Sequence, residues 1–455
     1  MRSAALVFFA AMTLGAPSWA QAPAAQPVTP SVVRLPVRRE RLENGLRVVL
    51  SPDPTVPTAA VAVYYDVGSR VEPPGQTGFA HLFEHLMFEG TEDLPKGEFD
   101  RLLTQRGADS NATTSEDRTN YFELLPASSL ELGLWLEADR MRALSITREA
   151  FENQRLTVME ERRQSYENQP YALSFLRLDE LFYEGYFPYQ HSTIGDMRDL
   201  EMPGVSPEDQ LARVRQFHAR WYAPDNAVLV VAGDIDPERT MEMIRRHFGA
   251  IPARRAPAWT DPAWTPARGE RVAEIQDAHA EAPAFHLAWH APPRRTPDHY
   301  ALDVLANILV GGESSRIYRR LVREREVLAE IEGGTAEHRG PEMFRLWAVC
   351  ANGSQPAAAR ALVDAEIDRV VREGVTAREV AKARNAVRGA FVFGLAGPLH
   401  RAMQLGEFEL YDGDASLLNA ELDGYLAVTA ADVHRVARTY LTRENHVVLD
   451  VIPTR

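Results

Sequence analysis

The sequence predicts an α+β chain of two homologous domains, each a mainly antiparallel β-sheet packed with α-helices. Three observations carry this expectation. The chain has 455 residues, more than one ordinary hydrophobic core organises, so at least two domains are expected. β-Branched stretches of period two alternate with longer stretches of helical period. The order of these stretches in residues 39–250 is then restated in residues 271–455. Between them IPARRAPAWTDPAWTPARGE, at 251–270, is rich in Pro, Ala and Trp, has no clear period and reads as a linker. About 200 residues per copy is a normal domain size.

Ahead of the first copy, Met1-Arg2 is followed by the apolar run AALVFFAAMTLGA and by SWA at 18–20, a small-x-small cleavage pattern. Residues 1–20 read as a secretory signal peptide, and 21–38 as a flexible Pro/Ala leader. No later stretch is apolar enough to span a membrane. The expected product is soluble and exported, to the periplasm of a Gram-negative bacterium. Hydrophobic residues make up 45% and charged residues 25%, as in folded soluble proteins. The net charge of −14 argues against a general nucleic-acid binder, whose footprint would be basic. Cys350 is the single cysteine, which rules out an intrachain disulfide. It lies in FRLWAVCANG, a strand-like stretch where a buried structural thiol is expected.

In the first copy LRVVLSPD and AAVAVYYDVGS read as strands. Thr77 to Gly90 reads as a helix, with Thr77 as N-cap and Gly90 as its stop. GEFDRLLTQRG is a second helix, and SNATTSEDRTNYFELLP returns to strands. Helices follow at roughly 127–145 and 147–166, and AVLVVAGDID at 227–236 is an apolar strand. In the second copy APAFHLAWHAPP and FRLWAVCANG are strands. DHYALDVLANILVGG, AEIDRVVREG and AREVAKARNAVRGAFVFGL are helices, and NHVVLDVIP closes the copy in the place of AVLVVAGDID.

GFAHLFEHLMFEGT, residues 78–91, carries the chemistry. A helix advances about 100° per residue, so His81 and His85 share a face, with Glu84 on an adjacent part of it. Two neutral imidazoles suit zinc, and a catalytic zinc takes three protein ligands plus water. A carboxylate beside the metal can accept a proton from that water. The competing reading is a core helix with hydrogen-bonded histidines. The remaining residues are Phe79, Leu82, Phe83, Leu86, Met87 and Phe88, so three polar groups would be buried together at a high cost. A metal accounts for all three. The corresponding segment of the second copy, YALDVLANILVGG, has no histidine, which confines the chemistry to the first. A third ligand is expected on FENQRLTVMEERRQSYENQPY, 151–171, where Glu152, Glu160, Glu161 and Glu167 are candidates that spacing alone does not separate.

The inverted order His81-Leu82-Phe83-Glu84-His85 matches the inverzincin pattern, and GFAHLFEHLMFEGT resembles the pitrilysin-type zinc peptidases, which include insulin-degrading enzyme and the mitochondrial processing peptidase. NATTSEDRTNYFELLP, ENQRLTVMEERRQ, WYAPDNAVLVVAGDID and GGESSRIYRRLVRE follow in the family's order, so the resemblance covers nearly all of the chain after the leader. It implies one Zn2+ per chain on His81 and His85, with Glu84 as general base. The third ligand it implies is a glutamate about 76 residues after the second histidine, which selects Glu161. Family members often carry another glutamate two helical turns earlier. Gln154 stands there, able to accept from an imidazole N–H but without charge. The strand near Asn111–Thr114 resembles the edge strand that binds peptide substrate by strand addition, which makes Asn111 and Ala112 substrate-binding candidates.

The family also places an Arg and a Tyr seven residues apart in its later domain to hold the substrate carbonyl. Arg323 occupies the first position, but Glu330 the second, and an ionised carboxylate cannot donate to a carbonyl oxygen. For a chain of this short kind the resemblance implies a clam-shell dimer. A heterodimer is expected, with a homologous partner supplying the Arg/Tyr pair, and a homodimer is the second arrangement. The expected activity is zinc-dependent hydrolysis of peptides or unfolded segments. The competing class is a non-catalytic scaffold or assembly subunit, whose family relatives usually lose the motif kept whole here.

Overall fold

Period-two stretches become strands, and their repeated order becomes two sheets of matching topology. The computed structural model describes residues 34–351 and 353–454; the expected signal peptide and most of the leader lie outside them. Strands β1 (Arg38–Arg41), β2 (Arg47–Pro52), β3 (Thr58–Tyr65), β4 (Asp109–Thr114), β5 (Thr119–Pro126) and β6 (Ala227–Gly233) form a six-stranded sheet ordered β1-β2-β6-β3-β5-β4. Strands β7 (Arg271–Asp277), β8 (Ala284–Ala291), β9 (Leu328–Thr335), β10 (Glu342–Cys350) and β11 (His446–Pro453) form a five-stranded sheet ordered β7-β11-β8-β10-β9. Without β1 the two orders correspond strand for strand. Each sheet has one parallel pair, β2 with β6 and β7 with β11, and its other pairs are antiparallel. The architecture is α+β and duplicated, as the sequence predicts. The segment 251–270 carries no strand or helix.

Both faces of the central strands are apolar, so both need cover. In β3 alternate residues Ala59, Val61, Val63 and Tyr65 enter the core beneath the helices of the first half, and Ala60, Ala62 and Tyr64 are equally buried on the other face. The cover of that other face comes from across the linker. Helix Pro398–Tyr411, in the second half, packs on β3 and β6. Its Gly406 lets the backbone approach the Tyr64 ring, since a Cβ there would lie 2.5 Å from a ring carbon. Tyr64 donates to Met403 O at 3.0 Å, and Arg401 pairs with Asp53 at 2.6 Å. The reciprocal helix of the first half, Ala172–Phe182, packs on β11 and β7 of the second sheet. There Leu178 and Phe182 join Met343, Val447 and Leu449 in one apolar cluster, and Ser174 Oγ meets His286 Nε2 at 2.7 Å. The two halves thus each lend a helix to the other's sheet, which boundaries at 250 and 270 do not convey. Leu35–Arg455 form one compact unit.

The loop between β9 and β10 docks on the first half. Asp117, buried in the β4–β5 turn, accepts from Arg70 Nη1, Tyr189 OH and the Arg339 backbone N–H, each at 2.8 Å. Cys350 ends β10 and is buried, and burial pushes its thiol up to about 11, so it is inert. Among the described residues no helix is long and apolar enough to cross a membrane.

Candidate metal centre

The helix that carries the histidines runs Phe79–Leu86, shorter than the expected Thr77–Gly90. Phe79, Leu82, Phe83 and Leu86 are buried, and Phe79 and Phe83 pack against Phe217 with ring centroids 5.8 Å apart. Thr77 is not its N-cap. The cap is Gly78, at φ 91°, where no side chain of its own can serve the first N–H groups. The fully buried Glu72 does so instead, accepting from Gly78 N at 2.9 Å and Ala80 N at 2.7 Å, at the end of the helix that favours negative charge. Burial raises the Glu72 pKa, opposed by these bonds and by His191 at 3.2 Å. Thr77 is used elsewhere: its Oγ1 donates to Asp199 at 2.7 Å and accepts from Asp196 N at 2.9 Å. Further along, Tyr121 OH donates to Phe83 O at 2.9 Å, fixing the helix to β5.

The third expected ligand is brought by helix Arg148–Arg162, which opens on a Thr147 cap and packs against the histidine helix. Glu161 lies in its last turn, followed by a π-helical turn Arg163–Glu167. His85 Nε2 is 3.2 Å from Glu161 Oε2, and His81 Nε2 is 3.7 Å from Glu161 Oε1. The two rings stand nearly perpendicular, centroids 4.9 Å apart. A tetrahedral zinc with bonds of about 2.1 Å sets its ligand atoms about 3.4 Å apart. The two nitrogen–oxygen separations bracket that edge, and two imidazoles with one carboxylate form a donor set that zinc accepts. These residues fit the metal. The set His81, His85 and Glu161, with ligand atoms all within 4.8 Å of one another, is the one such group among the described residues.

Electrostatics divide the histidines. Burial lowers the His81 pKa, which keeps the neutral, ligating form of that ring. Burial also acts on His85, but the hydrogen bond and charge of Glu161 outweigh it and raise its pKa. The closer Glu161 contact of His85 is the physical difference. The hydrogen bond with His85 lowers the pKa of Glu161.

Glu84 is half-buried on the adjacent face, and Thr114 Oγ1 at the end of β4 donates to its Oε2 at 2.6 Å. Glu160 points elsewhere, to Gln164 Nε2 at 2.9 Å; Glu167 pairs with Arg162 at 3.4 Å, and Glu152 is exposed. Glu161→Gln is therefore expected to weaken zinc retention at least about tenfold, with Glu160→Gln unchanged; metal content after dialysis checks this. Gln154 lies two turns before Glu161 on the same helix, and its Nε2 donates to Glu89 Oε1 at 2.6 Å. Asn111 and Ala112 lie on β4, an outer strand of its sheet, and Asn111 Oδ1 accepts from Ala112 N at 2.8 Å. The structure does not bring Arg323 to the cluster: exposed, it pairs with Glu313 at 2.9 Å. Glu330 is exposed on β9, an outer strand of the second sheet. Sequence reasoning placed Thr114 only in the substrate-binding strand and missed its bond to Glu84; it also missed Glu72, which no local spacing marks, and Glu89, which i, i+4 spacing from His85 does.

The family model described as "Insulinase (Peptidase family M16)" matches residues 47–190, and that described as "Peptidase M16 inactive domain" matches 210–387. The zinc protease PqqE of Helicobacter pylori is 29% identical over 405 residues, covering 88% of this chain and 89% of that protein. The crystal structure of a protease from Helicobacter pylori superposes with a TM-score of 0.86 at 27% identity, over 92% of this chain and 100% of that one. The periplasmic protease PqqL from Escherichia coli shares the fold at 19% identity and a TM-score of 0.72, over 92% of this chain but 48% of that one. The residues of the candidate cluster all fall under the insulinase model, the inactive-domain model runs from the end of the first half through most of the second, and the chain belongs to peptidase family M16.

Proposed function

We propose that the protein is a zinc-dependent endopeptidase acting on peptides or unfolded segments, exported to the periplasm of a Gram-negative bacterium and working as the zinc-carrying subunit of a clam-shell dimer. The convergence of His81, His85 and Glu161 beside Glu84 carries the reading. Zinc bound there would polarise the scissile carbonyl and lower the pKa of a water in the site. Thr114 occupies one oxygen of Glu84, leaving the other to take a proton from the attacking water and return it to the leaving amine. Because Thr114 ends β4, a peptide added along that outer strand lies beside Glu84. The contact of Asn111 with the Ala112 N–H is the local bond such a peptide displaces.

The dimer completes what this chain lacks. Glu330 offers only acceptors where a donor to the substrate carbonyl is needed, and Arg323 is engaged by Glu313. A homologous partner supplying the Arg/Tyr pair meets both needs; a homodimer working without the Tyr is the other arrangement. In PqqL the fold belongs to a chain about twice this length, which supports a two-part shell. Zinc analysis and cleavage of an unstructured peptide by the purified chain, alone and with a co-exported homologue, test the reading. One zinc per chain and chelator-sensitive cleavage, rising with the homologue, are expected. Full activity of the lone chain would remove the heterodimer, and a metal-free, chelator-indifferent protein would favour a scaffold subunit.

A further inference from the structure

Glu89 lies one helical turn beyond His85 in sequence, and its side chain is only 6% exposed. A carboxylate so buried needs partners. It has Lys96 Nζ at 2.6 Å and Gln154 Nε2 at 2.6 Å. Gln154 is two turns before Glu161 on the same face of helix Arg148–Arg162. The histidine-bearing segment and this helix are therefore joined twice, once through Glu161 with the two histidines and once through Gln154 with Glu89. An amide can present either its oxygen or its nitrogen, and only an acceptor on one side decides which. Glu89 takes the nitrogen. The oxygen is left for the other side, on the helix face that also carries Glu161 and packs against the histidine helix. The buried Nδ1 of His81 has no hydrogen-bond partner.

We propose that Glu89 is a positioning residue of the metal centre, holding the Gln154 amide in the one orientation that turns its oxygen to the His85 ring. The inference rests on the zinc reading above. The negative charge expected at position 154 is supplied one contact further out, by Glu89 relayed through a neutral amide. Two adjacent carboxylates would repel, so a glutamate at 154 is compatible with the site only when position 89 is uncharged.

The test is the zinc dissociation constant of the full chain, measured by competition with a chromophoric chelator, with the melting curve of each variant as a check on folding. Glu89→Ala is expected to weaken zinc binding about 10- to 100-fold, the usual cost of losing a partner of a ligand. Glu89→Gln keeps the bulk, so it folds where alanine leaves a hole, and it weakens binding by less. Gln154→Glu alone is expected to bind more weakly than the wild type, and the double variant Gln154→Glu/Glu89→Gln to recover wild-type affinity or better. Both Glu89 variants within about twofold of the wild type, or Gln154→Glu binding as tightly as the double variant, would overturn the proposal. A wild-type chain that binds no zinc would instead remove the reading beneath it.

Discussion

Glu84→Gln is expected to keep zinc at the wild-type content and to lose peptide cleavage by about 10²- to 10⁴-fold, the range that a positioned general base contributes. The substitution is nearly isosteric. A glutamine oxygen still accepts from Thr114 Oγ1, so the side chain stays where the 2.6 Å bond holds it. None of the three ligating side chains changes. What disappears is the capacity to take a proton from water and deliver it to the leaving amine, because an amide is not a base at neutral pH. Single-turnover cleavage of a quenched peptide, with metal content measured on the same preparation, separates the two effects. Near wild-type cleavage by this variant would show that Glu84 is not the base.

Asp117→Ala is expected to lower stability by about 3–5 kcal/mol, the cost of leaving a buried charge without its partner. Arg70 and Asp117 are 3% and 2% exposed and 2.8 Å apart. The Asp117 carboxylate and burial act in opposite directions on the Arg70 pKa, and the net shift is upward, so the guanidinium stays charged. Removing the carboxylate also frees Tyr189 OH and the Arg339 N–H, both of which donate to it. Arg339 belongs to the second half, so the loss loosens the docking of the β9–β10 loop as well as the β4–β5 turn. Tyr189 OH and the Arg339 N–H reach different oxygens of Asp117, so Asp117→Asn, with one acceptor oxygen, serves only one side, turns an amide N–H2 toward the other, removes the charge facing Arg70, and should recover only part of the loss. Denaturant unfolding measures both. A change below about 1 kcal/mol for alanine would put this node among the weak ion pairs.

The histidine pair was legible because helical spacing and an apolar background act within a few residues. The duplicated order of strands was legible because each stretch carries its own period. Glu161 needed the family pattern: four glutamates share its segment, and the fold decides among them by how the helix ends beside His85. The N-cap was misread for a related reason. Thr77 precedes Gly78 and suits the local rule, but a glycine at positive φ hands the first N–H groups to Glu72, whose loop position gives no hint of that role. Gln154 was legible as a neutral side chain on the Glu161 helix, and Glu89 is marked by its i, i+4 spacing from His85, but that the two bond to each other becomes visible only when their segments are packed together. The destination of helices Ala172–Phe182 and Pro398–Tyr411 was equally hidden, since an amphipathic stripe says that a face is buried but not against which sheet.

That crossing of helices makes the molecule a clasp. A cut within 251–270 would strip the outer face from β3 and β6 and leave Phe182 and its tyrosine neighbours without a host, so neither half is an autonomous folding unit. The half that holds the candidate metal cluster is therefore not expected to fold when excised, and a gene encoding it is expected to yield an insoluble fragment unless its sibling is made alongside. The clasp also fixes where a hinge can be. The seam between the two sheets is stitched from both directions, so in the dimer proposed above an opening that admits a peptide would fall between the chains, with this chain moving as one body.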